Sequence, residues 1–577
     1  MGIPSFKYLK KLANNNDEFT NLKKVKLAVL SDSSSQFLHI AIKGYGRSKG
    51  IEYDIYESEY NQIDQEIFDD NSALYKFKPE YIFIIRSSEH LLKEFYKKPQ
   101  TALHFHEKEK EKLNSYIKRI NSLLKTNIIT NTFIEINDNL FGHFGCKTDV
   151  SFIYHLRKTN LFLMDLSRET KNLHICDLAS SGNSVGYTHL FDPKLYINAD
   201  LTFNLEFIPI IAKDLTDIIL SKSGIFNKCI ILDLDNTLWG GIIGDDGIEG
   251  IQIGDYGTGK AYTELQLWVK QLKKRGIILA VCSKNTESIA KEPFEKHPDM
   301  VLRLEDIAVF VANWENKADN IRYIQSILNI GFDAMVFIDD NPFEREIVKK
   351  NVPLITVPDM PEDCAEYLPY LKSLNLFETS SFTEEDELRT NQYREEAQRN
   401  TLLESFTNIE EFLQSLEMKA VVKAFDKFTT PRIAQLSQRS NQFNLRTVRY
   451  TEEDIEHIAS NDMYITMSFN LEDKFGNHGL ICAFILEKIS DSEIFINTWI
   501  MSCRVLNRGM EQFTLNRMVE IVKNRGYKKI IGEYIPTSKN AIVKDHYSRL
   551  GFTEEKGKWV LEVEKFKSIE TKIKEQV

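Results

Sequence analysis

Asp233 and Asp235 stand two residues apart at the end of an apolar run, within Ile231-Leu232-Asp233-Leu234-Asp235-Asn236-Thr237-Leu238-Trp239. If that run is a strand, both acids fall where it ends. The backbone can turn there, so one side chain and one carbonyl can converge on a cation. A carboxylate so placed can attack phosphorus and give an aspartyl phosphate. That chemistry calls for a hard cation, Mg2+, to neutralise the phosphate and hold it in line. A second carboxylate two positions on can protonate the leaving group and then activate water.

Three later segments suit the same chemistry. Cys282-Ser283-Lys284-Asn285 offers a hydroxyl and amide donors to a phosphoryl oxygen, Lys317 can balance negative charge from a helix start, and Asp339-Asp340-Asn341-Pro342 adds carboxylates. A lone Asp-x-Asp is a turn with two solvated acids. Four ordered matches at successive strand ends point instead to a built site. Asp233, Asp235, Asp339 and Asp340 would then form a local acidic excess that a divalent cation neutralises.

The elements that must position these groups are short strands alternating with helices. Cys229–Leu232, Ile277–Val281, Ala308–Val311 and Ala334–Ile338 read as buried strands, with helices such as Ala261–Lys274 and Lys317–Leu328 between them. This is an open parallel α/β sheet, whose sites form at the carboxyl ends of the strands. An earlier segment has the same alternation, with strands at Val25–Leu30, Tyr81–Ile85, Asn127–Ile129 and Leu173–Cys176. A charged stretch, TEEDELRTNQYREEAQRN, reads as a solvated helical connector. The last segment mixes strands with a long helix near Gly509–Arg525, an α+β pattern. The expected fold class is therefore α/β multidomain, divided at 1–222, 223–360, 361–417 and 418–577.

Composition sets limits. A chain of 577 residues leads one to expect three or four domains, and 42% hydrophobic residues suffice to give each a core. Lys+Arg of 73 against Asp+Glu of 84 gives a net charge of −11, which argues against nucleic-acid binding. Seven scattered cysteines without a Cys-x-x-Cys pair fit a reducing, cytoplasmic setting. No window is long and apolar enough to span a bilayer. The sequence is silent on oligomeric state.

The order Asp-x-Asp-x-Thr, Ser, Lys, Asp-Asp resembles the four-motif signature of the haloacid dehalogenase (HAD) superfamily. The resemblance implies Asp233 as nucleophile and Mg2+ ligand and Asp235 as acid/base. It makes Ser283 and Lys317 phosphate binders, Asp339 a Mg2+ ligand, and Asp340 an orienting or water-mediated ligand. The segment Trp239 to Gly250 reads as a glycine-rich turn and short hairpin, with Asp246-Gly247 as its tight turn. It is too short for a cap domain, so the site should stay open to a bulky or protein-borne substrate. LDLDNTLWGGIIGDDGIEGI with VCSKN, NWENKADNI and FIDDNPFERE resembles the FkbH-like subfamily, and the likeness continues to about Phe552. Characterised members load a glyceryl group from 1,3-bisphosphoglycerate onto an acyl carrier protein and remove phosphate. By that resemblance the substrate is a phosphorylated small molecule and the partner an acyl carrier protein or acyl-CoA.

Cys282, one residue before Ser283, is a candidate thiolate that takes an acyl group and passes it to a carrier thiol; it is equally readable as a small buried hydrophobe. Ser502 to Glu511 joins a strand to a helix and resembles the GNAT acyltransferase loop. Arg504, Arg508 and Gly509, with Asn540, would bind CoA or a carrier's phosphopantetheine, although Asn507 replaces a loop glycine. Tyr547 would be general acid to the leaving thiolate, or simply a packed tyrosine. Ser31-Asp32-Ser33 resembles the first block of SGNH hydrolases, but no late Asp-x-x-His follows. The segment is read as an SGNH-like scaffold without esterase chemistry, the runner-up being a divergent hydrolase with His174 or His189 as base. The functional expectation is a phosphatase/glyceryl transferase, the alternative a phosphomonoesterase fused to a CoA-dependent acyltransferase acting on sugar or polysaccharide precursors.

Overall fold

The computed structural model describes residues 3–15, 22–97, 103–382, 392–395, 399, 402–403, 406–440, 442–502, 505–537 and 539–576. The chain divides into two compact units, one up to Leu220 and one from Ser221 onward. No described helix is long and apolar enough to cross a membrane.

The first unit is built on five parallel strands: β1 (Lys23–Ser31), β2 (Ile51–Glu57), β3 (Tyr81–Ile85), β4 (Asn127–Asn131) and β5 (Leu173–Cys176), in the order β2-β1-β3-β4-β5. Alternate residues of β1 enter opposite cores. Val25, Leu27 and Val29 face one, while Ala28 and Leu30 face the other. A parallel sheet covered on both faces explains why its strands read as continuous apolar runs.

The second unit holds two sheets. The first has four parallel strands, β6 (Cys229–Leu232), β7 (Ile278–Ser283), β8 (Val309–Ala312) and β9 (Met335–Ile338), ordered β8-β7-β6-β9. Ile230 and Leu232 enter one core, Cys229 and Ile231 the other. The expected hairpin after β6 is instead a helix, Ile243–Gly250, broken only at Gly247, whose φ is +68°. The Asp246 carboxylate accepts the Ile242 N–H at 2.7 Å and so holds the helix start. With the helix Gly257–Lys274 following, no separate domain intervenes between β6 and β7.

The second sheet has eight strands: β10 (Lys419–Lys423), β11 (Tyr464–Asp473), β12 (Gly476–Lys488), β13 (Glu493–Met501), β14 (Lys529–Gly532), β15 (Thr553–Glu555), β16 (Lys558–Glu562) and β17 (Lys574–Glu575). Their order is β15-β16-β14-β13-β12-β11-β10-β17. The parallel pair β13–β14 shares only three registers, Glu493–Phe495 with Lys529–Ile531, and then parts. The segment Phe443–Leu445 fills the gap. Asn444 bridges Ile500, the Phe443 carbonyl accepts the Met501 N–H, and the Leu445 carbonyl accepts the Ile535 N–H.

The charged connector is not simply solvated. Tyr367 and Leu371 pack into the core around β6, and Tyr393 joins its other face. Arg399 is buried and bonds the buried Asp473 through two N–H groups, at 2.6 and 2.7 Å. Residues 383–391, 396–398 and 400 of the stretch lie outside the described residues.

Candidate active site

The Asp233 N–H still donates to the Ile338 carbonyl, so the β6–β9 ladder runs one residue past β6 before the chain turns. Leu234, Leu238 and Trp239 are fully buried and pin that turn. Asn236, at φ +54°, closes it by accepting the Gly241 N–H.

Asp233, Asp339 and Asp340 converge, each offering a carboxylate oxygen within 4.8 Å of the others. Lys317, first residue of the helix Lys317–Leu328, reaches Asp233 Oδ2 at 2.9 Å and Asp339 Oδ2 at 2.6 Å. Burial works against its ammonium, but Asp233 and Asp339 outweigh it and hold the pKa above the ordinary lysine value. Burial and the Asp233 charge push Asp339 up to about 7. Burial, then Asp233, also raises Asp340. Asp233 Oδ1 is buried without a hydrogen-bond partner. An orphaned carboxylate oxygen among three acids and one ammonium fits a divalent cation bound through oxygen.

Two residues that motif reading left without a role hold the loop. Thr237 Oγ1 donates to Asp340 Oδ1 at 3.2 Å and accepts the Asp340 N–H at 3.1 Å. The Arg345 guanidinium donates to the carbonyls of Asp339 and Asp340 at 2.8 and 2.6 Å. Thr237 belongs to the Asp-x-Asp-x-Thr run, so its presence was legible. Arg345 sits one turn into the next helix, and nothing in the spacing marks it.

The Asp235 carboxylate is not in the acidic cluster. It accepts from Trp239 Nε1 at 2.9 Å, Ile243 N at 3.0 Å and Asn285 Nδ2 at 3.1 Å. Burial raises its pKa, which suits a proton-holding group. Ser283 is buried at the end of β7. Cys282 is not a thiolate poised over the site. It packs among Cys229, Ala280 and Val311, its Sγ donates to the Lys317 carbonyl at 3.7 Å, and burial pushes the thiol well up.

Of the proposed CoA residues, Arg508 and Gly509 line one cavity, and Asn540 is not among its lining residues. Arg504 lies outside the described residues. Arg508 is buried with its Nη1 3.9 Å from Asp473 Oδ2, the carboxylate that also bonds Arg399 and His478. Gly509, at φ +83°, is the N-cap of the helix Met510–Asn524. Asn540 is fully buried, donating to the carbonyls of Asn444 and Ile535 and accepting the Thr537 N–H. Tyr547 is buried against Gly532, where a Cβ would come within 2.5 Å of its ring.

In the first unit, Ser33 Oγ accepts from Thr202 Oγ1 at 2.9 Å, and both Asp32 oxygens accept the Ser87 N–H. Burial pushes Asp32 up to about 6. His174 bonds Asn127 and His189 faces Glu206, so neither is hydrogen-bonded to Ser33. The histidine that interacts electrostatically with Asp32 is His90, whose Nε2 lies 3.0 Å from Asp200 Oδ1.

A four-stranded parallel sheet delivering Asp233, Ser283, Lys317 and Asp339-Asp340 from successive strand ends defines a phosphatase domain of the HAD type. Residues 26–220 match the family described as the FkbH N-terminal domain. The solved N-terminal part of a Bacteroides fragilis protein, containing a phosphatase domain and complexed with Mg, is 46% identical with a TM-score of 0.63. The alignment covers 66% of this chain and 100% of that one. The chain belongs to the FkbH-like family. Two acetyltransferases align over 25% of it. The Escherichia coli ribosomal-protein-S18-alanine N-acetyltransferase does so at 16% identity, TM-score 0.20 and 94% of its own length. The Vibrio cholerae spermidine N-acetyltransferase in complex with CoA and spermine does so at 15%, 0.20 and 96%. No curated protein matches the chain.

Proposed function

We propose that the chain is a Mg2+-dependent phosphatase/acyl transferase, which moves a phosphoglyceryl-type group onto a carrier thiol and removes its phosphate. The observation that carries the phosphatase half is the orphaned Asp233 Oδ1, buried between Lys317 and the Asp339-Asp340 pair. Asp233 attacks phosphorus; the Oδ–P bond forms and the P–O bond to the leaving group breaks. Asp235, its pKa raised by burial, gives its proton to the departing oxygen. It then takes a proton from the water that hydrolyses the aspartyl phosphate, restoring Asp233 and releasing inorganic phosphate. Lys317 offsets the charge of the carboxylates as the phosphate enters. Mg2+, held by Asp233, Asp339 and Asp340, would supply further neutralisation of the phosphoryl oxygens.

The absence of a domain between β6 and β7 supports a substrate carried on a protein. In the acyl transfer the carrier's own thiolate attacks the acyl carbon and the acyl phosphate leaves; the burial of Cys282 argues against a relay through it. Mg2+-dependent hydrolysis of an aryl phosphate should vanish in Asp233→Asn, and activity that survives sinks the phosphatase assignment. Intact-mass analysis of acyl carrier protein incubated with the chain and 1,3-bisphosphoglycerate tests the transfer. No adduct on the carrier would remove that half and leave a phosphatase.

A further inference from the structure

We propose that the second unit binds a small organic amine, in a cavity lined by three side chains whose buried polar atoms have no partner. The cavity measures about 370 Å3. That lies within the range of small-molecule sites, roughly 300–1,000 Å3. Four segments wall it. They are the helix Ile409–Ser415, the turn Asn507 to Gly509 with the first residues of the helix Met510–Asn524, the short helix His546–Arg549 with Leu550, and the tail from Glu570 to Lys572. No lining residue belongs to the phosphatase sheet β8-β7-β6-β9, so the site stands apart from that chemistry and does not rest on it.

The orphaned atoms define the ligand. Glu511 is 8% exposed, and its Oε1 accepts the Asn507 N–H at 3.0 Å. Its Oε2 is buried with no hydrogen-bond partner among the described residues, as are Gln512 Oε1 and His546 Nε2. All three residues line the cavity. His546 is 1% exposed, and its ring meets Phe443 and Trp499 edge-on at 4.8 and 4.6 Å between centroids, which fixes its place. Burial depresses its pKa to about 3, so the imidazole is neutral. With its proton on Nδ1, Nε2 is an acceptor. A buried acceptor left unsatisfied is unfavourable. An ammonium brings three N–H donors and no acceptor, and its bond to a carboxylate is strengthened by charge. Counting charges chooses no ligand, since Glu410, Glu511 and Glu570 line the cavity against Arg508, Arg549 and Lys572. Lys572 pairs with Glu570 at 2.6 Å, and Arg508 lies 3.9 Å from Asp473. An anion at the start of the helix Met510–Asn524 would be favoured by the helix dipole. It would also face the Glu511 charge and leave the acceptors unsatisfied. Ile409, Leu413 and Leu550 offer contact to a short carbon chain.

Butylammonium, butanol and butyrate share one carbon chain and differ in head group, and they are the probes. Each is titrated into the full chain and read by saturation-transfer NMR, with Mg2+ added to cover the phosphatase acids. Butylammonium should bind about tenfold more tightly than either of the others. Glu511→Gln keeps an acceptor for the Asn507 N–H and removes the charge. It should weaken butylammonium about tenfold and leave aryl phosphate hydrolysis unchanged. Gln512→Met keeps the volume of a half-buried side chain and removes its acceptor, and should weaken binding in the same direction. The proposal is overturned if butylammonium does not bind at tens of millimolar, or if butanol or butyrate binds as tightly. It is equally overturned if affinity is unchanged in Glu511→Gln or, should that variant not fold, in Gln512→Met.

Discussion

Lys317→Met tests the electrostatics of the phosphatase site directly. The ammonium lies 2.9 Å from Asp233 and 2.6 Å from Asp339, and all three side chains are buried. At those separations each pair attracts by about 6 kcal/mol at an effective dielectric of ~20. Desolvation of the three groups offsets most of this. Removing one partner of a buried pair nonetheless costs about 3–5 kcal/mol, because the other charge is left uncompensated. For a domain of this size that is a fall in Tm of roughly 6–20 °C. Methionine fills much of the lysine's volume, so the loss reads charge rather than a cavity. Divalent cation should reverse part of it, since a ligand that binds only the folded state stabilises it by mass action. Without the ammonium, three carboxylates face the ion. Thermal melts in chelator and in millimolar Mg2+ give both readings. The variant should melt well below wild type in chelator and gain more than wild type from Mg2+. If the two proteins melt together in chelator, or if Mg2+ stabilises only the wild type, the pairing of Lys317 with these acids is not what holds the site.

Thr237→Val removes the hydroxyl that bonds Asp340 at both its carboxylate and its N–H. It should lower phosphatase turnover roughly tenfold and raise the Mg2+ concentration for half-maximal rate; an unchanged Mg2+ dependence counts against the role given to Asp340. Cys282→Ala should keep full aryl phosphatase activity and cost about 1 kcal/mol of stability in urea unfolding, whereas a loss of turnover would reinstate the thiol. Burial depresses His478 from 6.5 to about 4. A histidine depressed on folding gives stability that is present above pH 6.5 and lost as pH falls through 4, here roughly 3 kcal/mol. His478→Gln should flatten that slope in urea titrations of the C-terminal signal between pH 6.5 and 4, and an identical slope refutes it.

The strands and their order of motifs were legible because each strand of the phosphatase sheet is a short apolar run ending in chemistry-bearing residues. What was not legible depended on which partner each side chain meets, some of them near in the chain and some far. Arg508 fits a loop pattern, but the spacing does not show that its guanidinium is buried 3.9 Å from Asp473. The charged connector conceals Arg399 for the same reason. Asp246-Gly247 has the composition of a tight turn, yet the Asp246 side chain holds a helix start instead. Asp235 follows the alternation of a strand only on paper. The chain turns at Asn236, and Trp239, Ile243 and Asn285 take its carboxylate away from the acids.

The gap between β13 and β14 bears on how the chain is made. Phe443–Leu445, which fills it, is synthesised before either strand that flanks it. As the nascent chain emerges from its N-terminal end, the filler is already waiting when β13 arrives, and β14 closes over an occupied seam. A circular permutant that places β13 and β14 ahead of this segment would reverse that order. It would ask the filler to thread between two strands already joined at Glu493–Phe495, so its refolding should be slower even where its final stability is unchanged.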